Sequence, residues 1–358
     1  MHKKLFIPGP VDVREDVLQK MATPLIGHRS IEASNLQRSI AEKLQKVFLT
    51  NNVILLSTSS GSGLMEGSIR SFTNKRAAVF SVGAFGDRWY EMAVTNNVPA
   101  DIFKSELGKP TAVEMVDNAL QTGLYDLITI THNETSTGLM NPVAEIGKLL
   151  KEQYPDILFL VDAVSSMGGV KIKTDEWGID VCITSSQKAL GLPPGLSICS
   201  VSERAINAGR KVAFRGTYLD IISLYDTVKK KDHQYPSTPS LSHMFALDYQ
   251  LDKILEETLE VRYQRHDDLA NIVRAWAKKN FDLFVKDEKY LSQTLTTIIN
   301  TTDVNIGDLN KALAERGFMI SNGYGNLKNK TFRISHMADY SLEDVKELLD
   351  NIDDILKL

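Results

Sequence analysis

Ile157-Leu158-Phe159-Leu160-Val161-Asp162-Ala163-Val164-Ser165-Ser166, and after it Asp180-Val181-Cys182-Ile183-Thr184-Ser185-Ser186-Gln187-Lys188, are the two stretches that decide the fold. Each contains a short, unbroken apolar run rich in β-branched and aromatic residues that ends in small polar ones. That is the pattern of a strand buried on both faces. Four similar runs lie around them, at Val53-Ile54-Leu55-Leu56, Ala77-Ala78-Val79-Phe80, Leu127-Ile128-Thr129-Ile130 and Leu196-Ser197-Ile198-Cys199. Amphipathic segments at about 61–73, 85–96, 111–121 and 142–153 separate several of these runs. The alternation predicts an α/β fold in which right-handed crossovers build a mostly parallel sheet, with functional residues at the strand ends.

The chain has 358 residues, more than one core usually serves. A Pro-punctuated N-terminal arm is expected over 1–20 and a large domain over 21–240. The texture turns helical over 241–280, a connecting helix, and a smaller α+β domain follows over 281–358. In that last part Thr294-Leu295-Thr296-Thr297-Ile298-Ile299 and Thr331-Phe332-Arg333-Ile334 read as strands, while Ile306 to Arg316 and Leu342 to Leu356 read as helices.

Lys and Arg number 41 against 45 Asp and Glu, a net charge of −4 with no basic tail, so nucleic acid is not an expected partner. No stretch approaches the roughly 18 apolar residues of a membrane span. The two cysteines, Cys182 and Cys199, both fall inside apolar runs, which implies no disulfide framework. The N-terminus reaches Pro8 before any signal-like apolar segment, and a reducing cytoplasm is the expected location. The seven histidines show no metal-ligand spacing, so no metal is expected.

A lysine at the tip of a rigid element, with its pKa lowered, can form a Schiff base. Lys188 has that placement, between a buried strand and the bend Gly191-Leu192-Pro193-Pro194-Gly195. Its bland alternative is a solvated loop lysine. Asp162 weighs against that alternative, because a carboxylate at the end of an apolar strand needs a cationic partner. The protonated pyridine nitrogen of pyridoxal 5′-phosphate is one, and the pairing keeps the ring an electron sink. Lys188 follows Asp162 by 26 residues, the length of one step between neighbouring strand ends. Between the first strand and its helix, Ser57-Thr58-Ser59-Ser60-Gly61-Ser62-Gly63 is suited to cradle a phosphate.

These segments, with Pro8-Gly9-Pro10, Gly27-His28-Arg29, Met65-Glu66, His132-Asn133-Glu134-Thr135-Ser136-Thr137-Gly138 and Phe332-Arg333-Ile334, resemble the class V aminotransferases, in particular the alanine–glyoxylate and serine–pyruvate group. The resemblance runs over nearly the whole chain. It implies the fold-type I architecture of pyridoxal-phosphate enzymes and a homodimer with active sites at the subunit interface. It also implies roles for individual residues. Lys188 is the Schiff-base lysine, Asp162 the partner of the pyridine nitrogen, Val164 the residue beneath one ring face, and Phe85 the aromatic stacked on the ring. Thr135 lies near the cofactor's phenolic oxygen, Ser60, Gly61, Ser62 and Gln187 bind phosphate, and Arg333 takes the substrate carboxylate through two bonds. The loop Gln234-Tyr235-Pro236-Ser237-Thr238-Pro239 departs from the family pattern, and Ser237 and Thr238 are the donors nominated for the neighbouring subunit's phosphate. Gly27, His28, Arg29 and the turn Gly323-Tyr324-Gly325 would read the substrate side chain.

The expected activity is therefore ping-pong transfer of an amino group from a small amino acid, alanine or serine, to a 2-oxo acid, glyoxylate or pyruvate. Arg29 is the one arginine expected to serve a distal anion, which keeps aspartate or phosphoserine as the alternative donors. A cysteine desulfurase-like lyase would need a thiolate on a mobile loop, and a non-catalytic subunit would not need Lys188, Asp162 and Arg333. Trp89 and Trp177 are expected to be packing residues.

Overall fold

Seven strands form the larger sheet of the computed structural model, which describes residues 2–358. In spatial order they are Val53–Ser57, Ser197–Val201, Val181–Ser185, Leu158–Asp162, Leu127–Thr131, Ala77–Ser81 and Ala100–Lys104. Only Ser197–Val201 runs antiparallel to its neighbours. Every residue of Leu127–Thr131, Leu158–Asp162 and Val181–Ser185 is buried, which is why these segments read as unbroken apolar runs. The six expected strands are present, and the seventh, Ala100–Lys104, lies at the sheet edge. It is half-exposed and carries Asp101 and Lys104, so its sequence lacks the apolar signal of the central strands.

The smaller sheet has five strands in the order Lys4–Phe6, Phe318–Asn322, Thr331–Ser335, Leu295–Ile299 and Asp282–Leu283. Ile306–Glu315, Leu342–Leu356 and Leu259–Asn280 cover it, contributing Leu313, Leu348 and Val273 to a core separate from that of the large sheet. The N-terminal segment is not simply extended. Lys4–Phe6 pairs in parallel with Phe318–Ile320, Phe6 stacks on Tyr340 at 4.3 Å between centroids, and Glu15–Met21 is helical.

The helical stretch from 241 to 280 is two helices, not one. Leu241–Glu257 packs Leu247 and Leu251 into the large core, and Leu259–Asn280 places Leu269 and Trp276 in the small one. Thr258 makes the break with φ +67°, and its side chain caps the second helix by accepting from Val261 N. Beyond the break, the buried Arg262 joins the two halves. Its guanidinium donates to Glu257 (2.9 Å), Asp339 (2.8 Å), Gly168 O (2.9 Å) and Ala189 O (2.8 Å), the last on the residue after Lys188. A buried guanidinium with all these partners satisfied is a rigid splint, because removing any one partner would leave charge or polar groups stranded. Among the described residues, no helix is long and apolar enough to cross a membrane.

Candidate active site

Strand register brings the key side chains together. Asp162 is the last residue of its strand, opposite Thr131 on one side and Ile183 on the other. The chain leaves Val181–Ser185 through Ser186 and Gln187 and turns at Lys188, whose carbonyl accepts from Gly191 N at 2.9 Å. Lys188 and Asp162 thus meet at neighbouring strand ends. They line one cavity of about 220 Å³ with Ser60, Gly61, Ser62, Phe85, Thr135, Val164 and Gln187.

The electrostatics of the pair are set by burial. Asp162 is 3% exposed; Val164 N donates to its Oδ1 at 2.9 Å, and burial outweighs that bond, pushing the carboxyl up to about 6. Burial also lowers the Lys188 ammonium to about 8, helped by the positive charge of Arg333 and opposed by Asp162. Lys188 Nζ donates to Pro8 O. The N-terminal segment reaches this point through Gly9, where φ is +94° and a Cβ would come within 2.7 Å of Lys188 Cδ and Nζ, so only glycine leaves the lysine room. Gly61 faces a similar limit, since a Cβ there would lie 2.6 Å from Val164 Cγ2. The cradle therefore packs directly against the floor of the cavity.

The remaining walls are braced by hydrogen bonds. Thr135 Oγ1 bonds Ser165 Oγ at 3.0 Å, and Asn133, which also lines the cavity, donates to Ser165 Oγ and Thr294 Oγ1. Phe85 lies in the first turn of Ala84–Thr95, and the fully buried Glu134 holds that turn by accepting from Phe85 N (3.0 Å), Gly86 N (3.1 Å) and Ser136 Oγ (2.6 Å). An acid at a helix N-terminus suits the macrodipole. Arg333 is buried at the edge of the site. Its Nη1 donates to Thr135 O, its Nη2 to Ser321 Oγ and Asn322 O, and its Nε also to Asn322 O. Burial lowers it to about 10. A two-bond grip on a carboxylate requires it to release part of this set.

Gly27, His28, Arg29, Ser237 and Thr238 do not line this cavity within one chain. Ser237 and Thr238 are exposed beside a separate cleft with Ser57, Thr58 and Tyr218. Arg29 donates to Tyr235 O (2.5 Å) and Pro236 O (3.2 Å), which joins the 27–29 turn to the 234–239 loop. Within one chain, Arg29 therefore faces the 234–239 loop and not the cavity that holds Lys188. The arginine that lines the cavity is Arg88, three residues after Phe85 on the same helix face. Arg88 and Glu134 were both outside the residues singled out from the sequence. A polar residue on a half-exposed helix carries no signal, and the helix N–H groups that Glu134 binds lie 48 and 49 residues upstream.

Cys182 and Cys199 are free and buried in adjacent strands, their thiols pushed up by burial, so neither stands on a loop as a desulfurase requires. Trp89 is fully buried in the core. Among the described residues, no three of His, Cys, Asp or Glu stand together as a metal site.

Comparison with known proteins agrees with this geometry. Residues 26–348 match the family model of class-V aminotransferases. The chain is 37% identical over 348 residues to an uncharacterized aminotransferase of Methanocaldococcus jannaschii, covering 94% of this chain and 88% of that protein. It is 30% identical to a serine–glyoxylate aminotransferase of Arabidopsis thaliana, covering 99% of this chain and 90% of the relative. The crystal structure of an alanine–glyoxylate aminotransferase from Nostoc superposes with a TM-score of 0.92 at 29% identity, over 99% of this chain and 96% of that one. A strand-end lysine and aspartate on a mostly parallel sheet, matched in sequence and fold over nearly the full length, place this chain in the class-V aminotransferase family as an aminotransferase of the fold-type I architecture.

Proposed function

We propose that the chain binds pyridoxal 5′-phosphate through Lys188 and moves the amino group of a small amino acid, alanine or serine, to glyoxylate or pyruvate. The observation that carries this reading is the convergence of Lys188, Asp162 and the Ser60–Ser62 cradle on one cavity. The residues fit the cofactor. Ser60 begins the helix Gly61–Phe72 without a side-chain capping bond, and no acid stands in the first turn, which leaves a hydroxyl and helix N–H groups for a phosphate. Asp162 is a buried carboxylate with no cation bonded to it, suited to a pyridinium N–H. Asn133 Oδ1, also at the cavity, is buried without a partner. Phe85 supplies a ring face and Val164 the opposite wall.

When bound, the cofactor supplies an aldehyde for an amine and an electron sink for the carbanion at the substrate's α-carbon. The protein does the rest. Lys188 Nζ, lowered to about 8 by burial, yields neutral amine far more readily than an ordinary lysine; released when substrate takes its place, it is the base positioned to take the α-proton. Asp162 holds the ring's proton in place. Arg333 orients the substrate carboxylate, and Glu134 keeps Phe85 at the ring face.

We further propose a homodimer. The Gly27–Arg29 turn and the Ser237–Thr238 loop share one exposed face with Leu25, Ile31 and Tyr218, which are 69%, 66% and 66% exposed. A second copy covering that face would bring these polar groups to its neighbour's cavity. Two free cysteines fit a cytoplasmic enzyme. Donors with a distal anion, aspartate or phosphoserine, are the second reading, favoured by the presence of Arg88 in the cavity.

Single-turnover mixing of the loaded enzyme with alanine, serine, aspartate and phosphoserine separates the two readings. Faster loss of the lysine-bound cofactor absorbance with alanine or serine is expected. Preference for aspartate or phosphoserine, or no reaction with any of the four, would overturn the proposal.

A further inference from the structure

We propose that Arg88 is the cationic group within this chain that holds the cofactor's phosphate, an inference that rests on reading the cavity as a pyridoxal 5′-phosphate site. A phosphate dianion carries more charge than the roughly half unit a helix N-terminus supplies, so a cation beside the cradle strengthens its hold. Two cationic side chains line the cavity, Lys188 and Arg88. Lys188 is spent on the covalent link and must be neutral to form it. Arg333 outside the lining is turned toward Thr135 O, Ser321 Oγ and Asn322 O. Arg88 remains.

Its placement matches the task. Nη1 donates to Ser62 Oγ at 3.2 Å, which puts the guanidinium on the cradle itself. A serine hydroxyl that accepts from an arginine keeps its own proton to donate, so the Arg88–Ser62 pair presents both charge and an O–H toward an anion. The guanidinium is also fixed in orientation. It lies over the Phe85 ring, 4.8 Å from the centroid, and Nη2 reaches Tyr324 Oη at 3.4 Å. Glu134 anchors the helix turn that carries Phe85, so the position of Arg88 follows from a buried brace. Its bond to Ser62 directs the guanidinium to the cradle and so to the phosphate end of the cavity. With Arg88 committed to the cradle, the cavity keeps no spare cation for aspartate or phosphoserine, which agrees with small neutral donors.

The full-length chain freed of cofactor is titrated with pyridoxal 5′-phosphate and separately with pyridoxal, which lacks the phosphate, following lysine-linked absorbance and tryptophan fluorescence. Arg88→Gln should weaken pyridoxal 5′-phosphate by about tenfold to a hundredfold, the usual worth of a charged hydrogen bond, and leave pyridoxal within about twofold. Arg88→Lys should recover part of the loss, and inorganic phosphate should compete less well in Arg88→Gln than in the wild type. Equal losses for both ligands would overturn the proposal and assign Arg88 to packing on Phe85. Unchanged cofactor affinity with a raised KM for aspartate would overturn it in favour of a substrate role. A wild-type chain that links neither ligand to Lys188 would remove the cavity reading and this proposal together, an outcome distinct from an Arg88-specific failure.

Discussion

Replacing Asp162 by Asn should stabilise the cofactor-free protein while impairing the enzyme. Burial raises the Asp162 carboxyl from 3.8 to about 6. At 1.36 kcal/mol per unit, the ionised side chain costs the folded state about 3 kcal/mol at neutral pH. Asn is close to isosteric. Its Oδ1 can accept from Val164 N, as Asp162 Oδ1 does at 2.9 Å, and its Nδ2 can donate to Thr131 Oγ1, which lies 3.5 Å from the present Oδ2. The expected gain is therefore on the order of 2–3 kcal/mol. The sign follows from proton linkage. The folded state binds this proton more tightly than the unfolded state, so the wild type loses stability as pH rises from about 4 to about 6, and the Asn variant does not. Denaturant unfolding of both cofactor-free proteins at pH 7.5 and pH 4 measures this. A variant less stable than the wild type at pH 7.5, or a difference independent of pH, would refute the reasoning. With cofactor bound, the same substitution removes the ring nitrogen's anionic partner. Breaking such a buried pair costs about 3 kcal/mol or more, a fall in kcat of about a hundredfold.

Gly9→Ala should shift the Lys188 side chain, because a Cβ would stand 2.7 Å from its Nζ at a φ of +94°; kcat is expected to fall with KM little changed, in steady-state kinetics. Arg333→Lys should raise KM for amino and oxo acid alike by about thirtyfold, since a point charge loses the planar fork at a cost of about 2 kcal/mol. Equal KM values in variant and wild type would remove Arg333 from the site. Amine-directed labelling of Lys188 in the cofactor-free protein should titrate with a midpoint near pH 8, and Arg333→Met should move that midpoint upward by removing a positive neighbour. A midpoint at the ordinary lysine value would show that the amine is not activated.

The central strands were legible because burial on both faces leaves a one-dimensional mark. Leu158–Val161 and Val181–Ile183 are apolar, and the first run ends at Asp162, which lines the cavity. Ala100–Lys104 at the edge and the three-residue strand Lys4–Phe6 have no such mark, and the latter owes its form to pairing with Phe318–Ile320 more than three hundred residues away. Asp162 and Lys188 could be read from local pattern. Arg88 and Glu134 could not, since their importance comes from groups that only the folded chain brings near: Ser62 and Tyr324 for the one, Phe85 N and Gly86 N for the other. Arg29 shows the converse. Its charge suggested a ligand, and within the chain it also bonds the carbonyls of Tyr235 and Pro236.

The most direct test of the account is borohydride reduction of the protein as purified with pyridoxal 5′-phosphate, followed by proteolysis and mass spectrometry. The account predicts one stable pyridoxyl adduct, on the peptide that contains Lys188, and none in Lys188→Ala of unchanged fold. An adduct on a different lysine, or a folded wild-type protein that forms none, would contradict it.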